Sequence, residues 1–229
     1  MNVIPQAVKD GFVGLTGPVV RALIRSGVTP NTISTVGALV VVGSAVAFGA
    51  GAVRLGGALL LASGLFDILD GQVARLGGLS STFGAFYDSA LDRVGEAALF
   101  AGIALHFMRG GLPPTAVVWG VMLAIAALAA SLMVSYTRAR AEGLGLDCKV
   151  GIAARAERIV VLGAPTVLFG AGRDGRLLLW IVAVLALATT ITVIQRIVYV
   201  ARLVGAAPQE SSARRRDTLP GRAPLRKGT

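Results

Sequence analysis

The sequence predicts an all-α, polytopic membrane protein, with six transmembrane helices preceded by an amphipathic interfacial helix. Three observations predict it. The 229 residues are 55% hydrophobic, with a mean hydropathy of +0.75, more apolar than an ordinary soluble domain. Only 15% are charged, and these cluster between apolar runs. Six runs follow, at roughly 32–52, 56–76, 82–107, 114–136, 152–171 and 177–200. Most reach the length of about 20 residues that a helix needs to cross a hydrocarbon core of roughly 30 Å.

Residues 6–26 read as the interfacial helix. Ala7, Val8, Phe12, Leu15, Val19, Leu23 and Ile24 recur at helical spacing, with Lys9, Asp10, Arg21 and Arg25 elsewhere. Gly11, Gly14, Gly17 and Pro18 bend it. Thr29-Pro30-Asn31 then marks a turn, because Pro30 disfavours helix before it and suits a first helical position. The fifth run is short. Only Ile159–Ala171 is free of charge, about 20 Å at a rise of about 1.5 Å per residue. Its helix must therefore begin earlier and carry Arg155, Glu157 and Arg158 toward the inner leaflet. Residues 1–206 form the membrane domain. The tail, 207–229, is rich in Arg, Pro and Ser, which predicts disorder.

The net charge is +10. The basic residues flank apolar runs and do not alternate with aromatics, so the membrane surface, and not nucleic acid, is the expected partner. One side collects Lys9, Arg21, Arg25, Arg75, Arg138, Arg140, Lys149, Arg155, Arg158, Arg202 and the tail; the other has Arg54, Arg109, Arg173 and Arg176. The positive-inside rule puts the first side, and both termini, in the cytoplasm. The start does not read as a cleavable signal peptide, since Lys9 and Asp10 interrupt it. The single cysteine, Cys148, excludes an intrachain disulfide and reads as a structural thiol.

Five carboxylates break the apolar pattern. Asp67 and Asp70 lie at i, i+3 near the cytoplasmic end of the second span; Asp88, Asp92 and Glu96 lie at i, i+4, i+8 on the third. Ionisable groups at such depth are expensive and signal function, although polar contact between helices also uses them. Carboxylates this close repel one another, and a hard divalent cation (Mg²⁺, Mn²⁺ or Ca²⁺) resolves the conflict. Such ions are commonly held by carboxylates together with substrate phosphates. Gly71 and Gly84 leave room for a diphosphate, and Arg75 offsets its charge.

The run Asp67-Ile68-Leu69-Asp70-Gly71-Gln72-Val73-Ala74-Arg75, with Gly84, Asp88 and Asp92 after it, resembles the full signature of the CDP-alcohol phosphotransferase family. Members of that family displace CMP from a CDP-linked lipid or alcohol with a hydroxyl. The resemblance implies that Asp67, Asp70, Asp88 and Asp92 hold two divalent cations, Mg²⁺ or Mn²⁺. It implies that Asp92 is also the general base, and that Asn31, Gly71, Ala74, Arg75 and Gly84 line the CDP pocket. Glu96 falls outside the motif and reads as a polar neighbour. The family tends to form homodimers, which is the implied assembly.

Arginines downstream speak to the acceptor. Arg138, Arg140, Arg155, Arg158 and Arg196 stand at the cytoplasmic ends of three spans. Arginines at membrane depth suit a phosphate, although snorkelling and topology also use them. The stretches around Ser135–Glu142, Arg155–Arg158 and Ile194–Arg196 are similar to bacterial phosphatidylinositol-phosphate synthases within the family. Arg138 stands where those enzymes often carry Lys, Ala-Ala-Arg-Ala at 153–156 where Glu-Arg-Pro is usual, and Asn31 where an Asp is common. That likeness implies that Ser135, Arg138, Arg155 and Arg196 hold inositol 1-phosphate, and that CDP-diacylglycerol donates the phosphatidyl group. Glycerol 3-phosphate is the alternative acceptor. A divalent-cation transporter is a distant alternative, disfavoured because the carboxylates gather at one membrane face.

Overall fold

The protein is represented by a computed structural model that describes residues 6–206, with side chains from Thr16 to Gly205. The predicted tail, 207–229, and the side chains that form the amphipathic face before Thr16 lie outside the described residues. Within them there are seven α-helices and no strand.

The helices are α1 (Gln6–Arg25), α2 (Pro30–Gly49), α3 (Val53–Leu76), α4 (Thr82–His106), α5 (Pro114–Glu142), α6 (Arg155–Phe169) and α7 (Arg176–Ala206). Local chemistry explains several of their ends. The Thr29 hydroxyl accepts from the Thr32 amide ahead of α2, with Pro30 in the first turn. Ser81 likewise caps α4 through the Gly84 amide, at 3.0 Å. A π turn over Phe107–Gly111 ends α4, and Gly110 there takes a φ of 95°, which suits only glycine at low cost. α6 has no side-chain N-cap.

Helices α2 to α7 form a closed ring in the order α2–α3–α6–α7–α5–α4, each packed on its neighbours in that order. α3 and α4 both pack on α2 and hardly on each other, which leaves a gap between them. α1 lies against α3, where Val20 meets Val73 and Ile33. The main core runs through the ring, with Phe48, Leu60, Ile103, Phe107, Leu162 and Val182 fully buried. Buried hydroxyls are satisfied locally: Ser44 donates to the Gly56 carbonyl, and Thr166 and Thr189 donate to carbonyls of their own helices. α3 and α6 approach closely at Gly57, where a Cβ would lie 3.0 Å from the Gly163 oxygen.

By length and composition, three of the described helices are apolar enough to cross a membrane: Pro30–Gly49, Pro114–Glu142 and Arg173–Gly205. Large apolar side chains stand outward on them, including Val46, Trp119, Met122, Trp180 and Leu187. Such a surface is foreign to water and suited to lipid. α3 and α4 are long enough but carry the carboxylates, while α6 has only 15 residues. The chain ahead of α6 is not helical from 146 to 154; it is a strap laid on α7. Thr192 of α7 accepts hydrogen bonds from the amides of Ile152 and Ala153 at 3.3 and 3.1 Å. The expected fifth helix thus starts at Arg155, and Cys148 and Ala153 of the strap are buried.

The turns near Arg54, Arg109 and Arg173 gather at one end of the ring. Arg54 adjoins Gly170, and the π turn packs on the short 3₁₀ turn Arg173–Gly175. The carboxylates and the other arginines occupy the opposite end.

Candidate active site

Asp67 and Asp70 near the end of α3 face Asp88 and Asp92 of α4 across the gap. Asp88 lies close enough to act electrostatically on each of the other three. Asp70 is buried and accepts a 2.7 Å hydrogen bond from the Ser34 hydroxyl of α2. Arg155, at the first position of α6, reaches into the gap. Its Nε donates to Asp67 at 2.8 Å, and Nη1 is ion-paired with Asp92. One guanidinium therefore bridges the two acidic helices.

Beside the carboxylates lies an open cleft of about 170 Å³. Asn31, Ser34, Asp70, Gly71, Ala74, Gly84 and Asp88 are among its walls. Two helix N-termini, those of α2 and α4, open onto it, each a favourable setting for an anion. Gly84 allows that convergence, since a Cβ there would stand 3.2 Å from the Asn31 side-chain oxygen. Of the five residues expected in a CDP pocket, four line the cleft. Arg75 does not; it is exposed and folds back along α3, 3.2 Å from where a Gly71 Cβ would be. Its charge stands at the edge of the cleft.

The residues expected around the acceptor are more scattered. Arg138 is exposed and bonded to Glu142 one turn on, at 2.8 Å. Ser135 donates to the Ser131 carbonyl at 3.4 Å. Arg196 is buried and bonded to two main-chain oxygens, those of Val134 and Val150, the second at 2.9 Å. A buried guanidinium needs acceptors, and the strap supplies one. Arg138 and Arg158 are near enough to act on Arg196, and Arg158 stands one turn from Arg155 on α6, which reaches the carboxylates.

The donor set suits a hard divalent cation. It offers only carboxylate oxygens, mutually repelling, and a cationic side chain already stands between two of them. Among the described residues, no three acidic, His or Cys side chains converge on a single point as they stand. Arg155 occupies the line between Asp67 and Asp92.

Two contacts were not foreseen from the sequence. Ser34 orients Asp70, and its spacing of i+3 from Asn31 is the signal that marks it. Glu96 is buried and ion-paired with Arg158. The signal there is a matched pair of spacings, Asp92 to Glu96 on α4 and Arg155 to Arg158 on α6.

The chain belongs to the CDP-alcohol phosphatidyltransferase family, whose model matches residues 27–192. Among its relatives, the phosphatidylinositol phosphate synthase of Cutibacterium acnes is 39% identical over 202 residues, covering 85% of this chain and 96% of that one. The archaetidylinositol phosphate synthase of Methanothermobacter thermautotrophicus is 38% identical over 192 residues, covering 80% and 91%. Crystal structures of the Mycobacterium tuberculosis phosphatidylinositol phosphate synthase are similar at 30% identity. The one with CDP-DAG bound has a TM-score of 0.70 and covers 81% of this chain and 92% of that one. The one in complex with manganese and citrate has a TM-score of 0.71 and covers 81% and 88%.

Proposed function

We propose that this protein is an integral-membrane phosphatidylinositol-phosphate synthase. It transfers the phosphatidyl group of CDP-diacylglycerol to a hydroxyl of inositol 1-phosphate and releases CMP. The observation that carries this is the join between the two charged clusters: Arg155 touches Asp67 and Asp92, and one turn along α6 Arg158 is near enough to act on Arg196 of α7. A diphosphate site beside a phosphate site is what a CDP donor and a phosphorylated acceptor require. The similar proteins from Cutibacterium acnes and Mycobacterium tuberculosis carry the same activity in their names.

In this scheme the CDP headgroup enters the cleft between α2, α3 and α4. Asn31, Gly71, Ala74 and Gly84 line it, and Arg75 stands at its edge. Asp67, Asp70, Asp88 and Asp92 hold two divalent cations, Mg²⁺ or Mn²⁺. When bound, these neutralise the diphosphate and stabilise the CMP leaving group. Ser135, Arg138, Arg155 and Arg196 take the acceptor's phosphate, helped by the uncapped N-terminus of α6. The acceptor oxygen attacks the phosphorus next to the lipid. The bond from that phosphorus to the bridging oxygen breaks, and CMP leaves with the electron pair. Asp92 takes the hydroxyl proton.

Six crossings, with α1 lying in the interface, put this chemistry at the cytoplasmic face. The excess of basic residues at the carboxylate end supports that orientation. The pairing of two chains into a homodimer is part of the same proposal.

The test is CMP release by the purified protein with CDP-diacylglycerol and either inositol 1-phosphate or glycerol 3-phosphate. Release with inositol 1-phosphate alone is expected. Release with glycerol 3-phosphate alone would reassign the acceptor, and none with either would remove the function.

A further inference from the structure

We propose that Glu96, which lies outside the family signature, is a positioning residue for the acceptor site: it seats the first turn of α6 by holding Arg158. This rests on the acceptor assignment above.

α4 and α6 are not neighbours in the ring. What spans the interior between them is two rungs of charge, Asp92 with Arg155 and Glu96 with Arg158. The rungs are parallel because Glu96 follows Asp92 by about one turn of α4, and Arg158 follows Arg155 by about one turn of α6. The inner rung is the more enclosed, with 8% of the Arg158 side chain and 10% of Glu96 exposed. It sits beside apolar Val41, Leu60, Leu99 and Leu162.

The start of α6 needs such a partner. Ala154 offers no side-chain cap, and in the first turn Glu157 is outnumbered by two arginines, Arg155 and Arg158, that oppose the positive end of the helix dipole. Arg158 answers both problems. Its Nη1 donates back to the Ala153 carbonyl at 3.0 Å, while Nη2 donates to Glu96. Ala153 is in turn bonded to Thr192 of α7. Glu96 thus anchors a chain of contacts, Glu96–Arg158–Ala153–Thr192, that fixes where α6 begins. Where α6 begins decides where Arg155 points.

Loss of a buried ion pair that served stability alone would lower the unfolding temperature without favouring one substrate. A positioning residue moves one Michaelis constant and not the other. The experiment compares the full-length enzyme with Glu96→Gln and Glu96→Asp, measuring KM for CDP-diacylglycerol and for the acceptor separately. For Glu96→Gln the acceptor KM is expected to rise about tenfold or more, the usual scale for loss of a supporting contact. The KM for CDP-diacylglycerol should stay within about twofold, and Glu96→Asp, which keeps the charge, should recover part of the loss. The double variant Glu96→Gln with Arg158→Gln should be little worse than Arg158→Gln alone, since the only other ion pair of Glu96 among the described residues, to Arg93 on its own helix, is long at 4.0 Å.

An unchanged acceptor KM overturns the assignment, and so does an equal rise in both constants. If Glu96→Gln does not fold, the same split measured on Glu96→Asp decides. A parent enzyme inactive with either phosphorylated acceptor would instead refute the function, so the two failures are separable.

Discussion

Adding one methyl group at Gly57 should destabilise the protein, although Gly→Ala inside a helix ordinarily stabilises it by about 1 kcal/mol. A Cβ at Gly57 would overlap the Thr166 hydroxyl and lie 3.0 Å from the Gly163 oxygen and 3.1 Å from the Val167 nitrogen. Two of these atoms are backbone, so no rotamer change relieves the contact and α6 must move away from α3. Overpacking of this kind costs about 1–3 kcal/mol, with rigid neighbours at the upper end. Setting the propensity gain against that leaves about 2 kcal/mol, or roughly 4–8 °C in unfolding temperature for a chain of this size. Moving α6 also moves Arg155, and a shift of about 1 Å in a positioning group reduces turnover by about 10²-fold. The assay is thermal unfolding in detergent together with CMP release. Gly64→Ala is the control, because a Cβ there meets only Ile159 at 3.5 Å, an ordinary contact on the same helix pair. Stabilisation by Gly57→Ala equal to that by Gly64→Ala would refute the close crossing of α3 and α6.

Other substitutions probe the charged cluster. Asp92→Asn should lower CMP release by about 10³-fold, the scale of general-base loss, while helical circular dichroism and the unfolding temperature stay near the parent's; activity within tenfold of the parent would remove Asp92 as the base. Chelation should abolish turnover, and Mg²⁺ or Mn²⁺ should restore it where Zn²⁺ does not, because the donors are all carboxylate oxygens; full activity in chelator would contradict the cation requirement. Ser34→Ala deletes the 2.7 Å hydrogen bond to Asp70 and should raise the Mn²⁺ concentration for half-maximal release by about tenfold, a shift read directly from a Mn²⁺ titration.

Much of the molecule was legible one residue at a time. The helices expected at 56–76 and 82–107 are α3 and α4 to within a few residues, because their apolar content, Ser81 and the glycine turns are local signals. The carboxylates were legible for the same reason: spacing along one helix determines which side chains share a face. The arginines expected to hold the acceptor were only half legible. Their side of the molecule could be read from charge, but their partners could not. Arg138 turned to Glu142 on its own helix, and Arg196 to carbonyls of Val134 and Val150. The strap before α6 was also hidden, since its hydrogen bonds go to Thr192, some forty residues away.

The sequence by itself determined the helical class, the apolar surface, the family signature and the spacing of the acids that we propose share cations. The class and the surface follow from composition, the spacing of the acids from periodicity within each helix, and the family from a resemblance in the residues of 67–92. Only the tertiary structure decided that α3 and α4 both lean on α2 and leave a cleft between them, and that Arg155 pairs with Asp67 of neighbouring α3 and reaches across the ring to Asp92 of α4. It likewise decided that Glu96, one turn past the signature, holds Arg158. These are contacts between residues some 60 to 90 positions apart. No local pattern encodes them, because the order of helices around the ring is set by which apolar faces pack together.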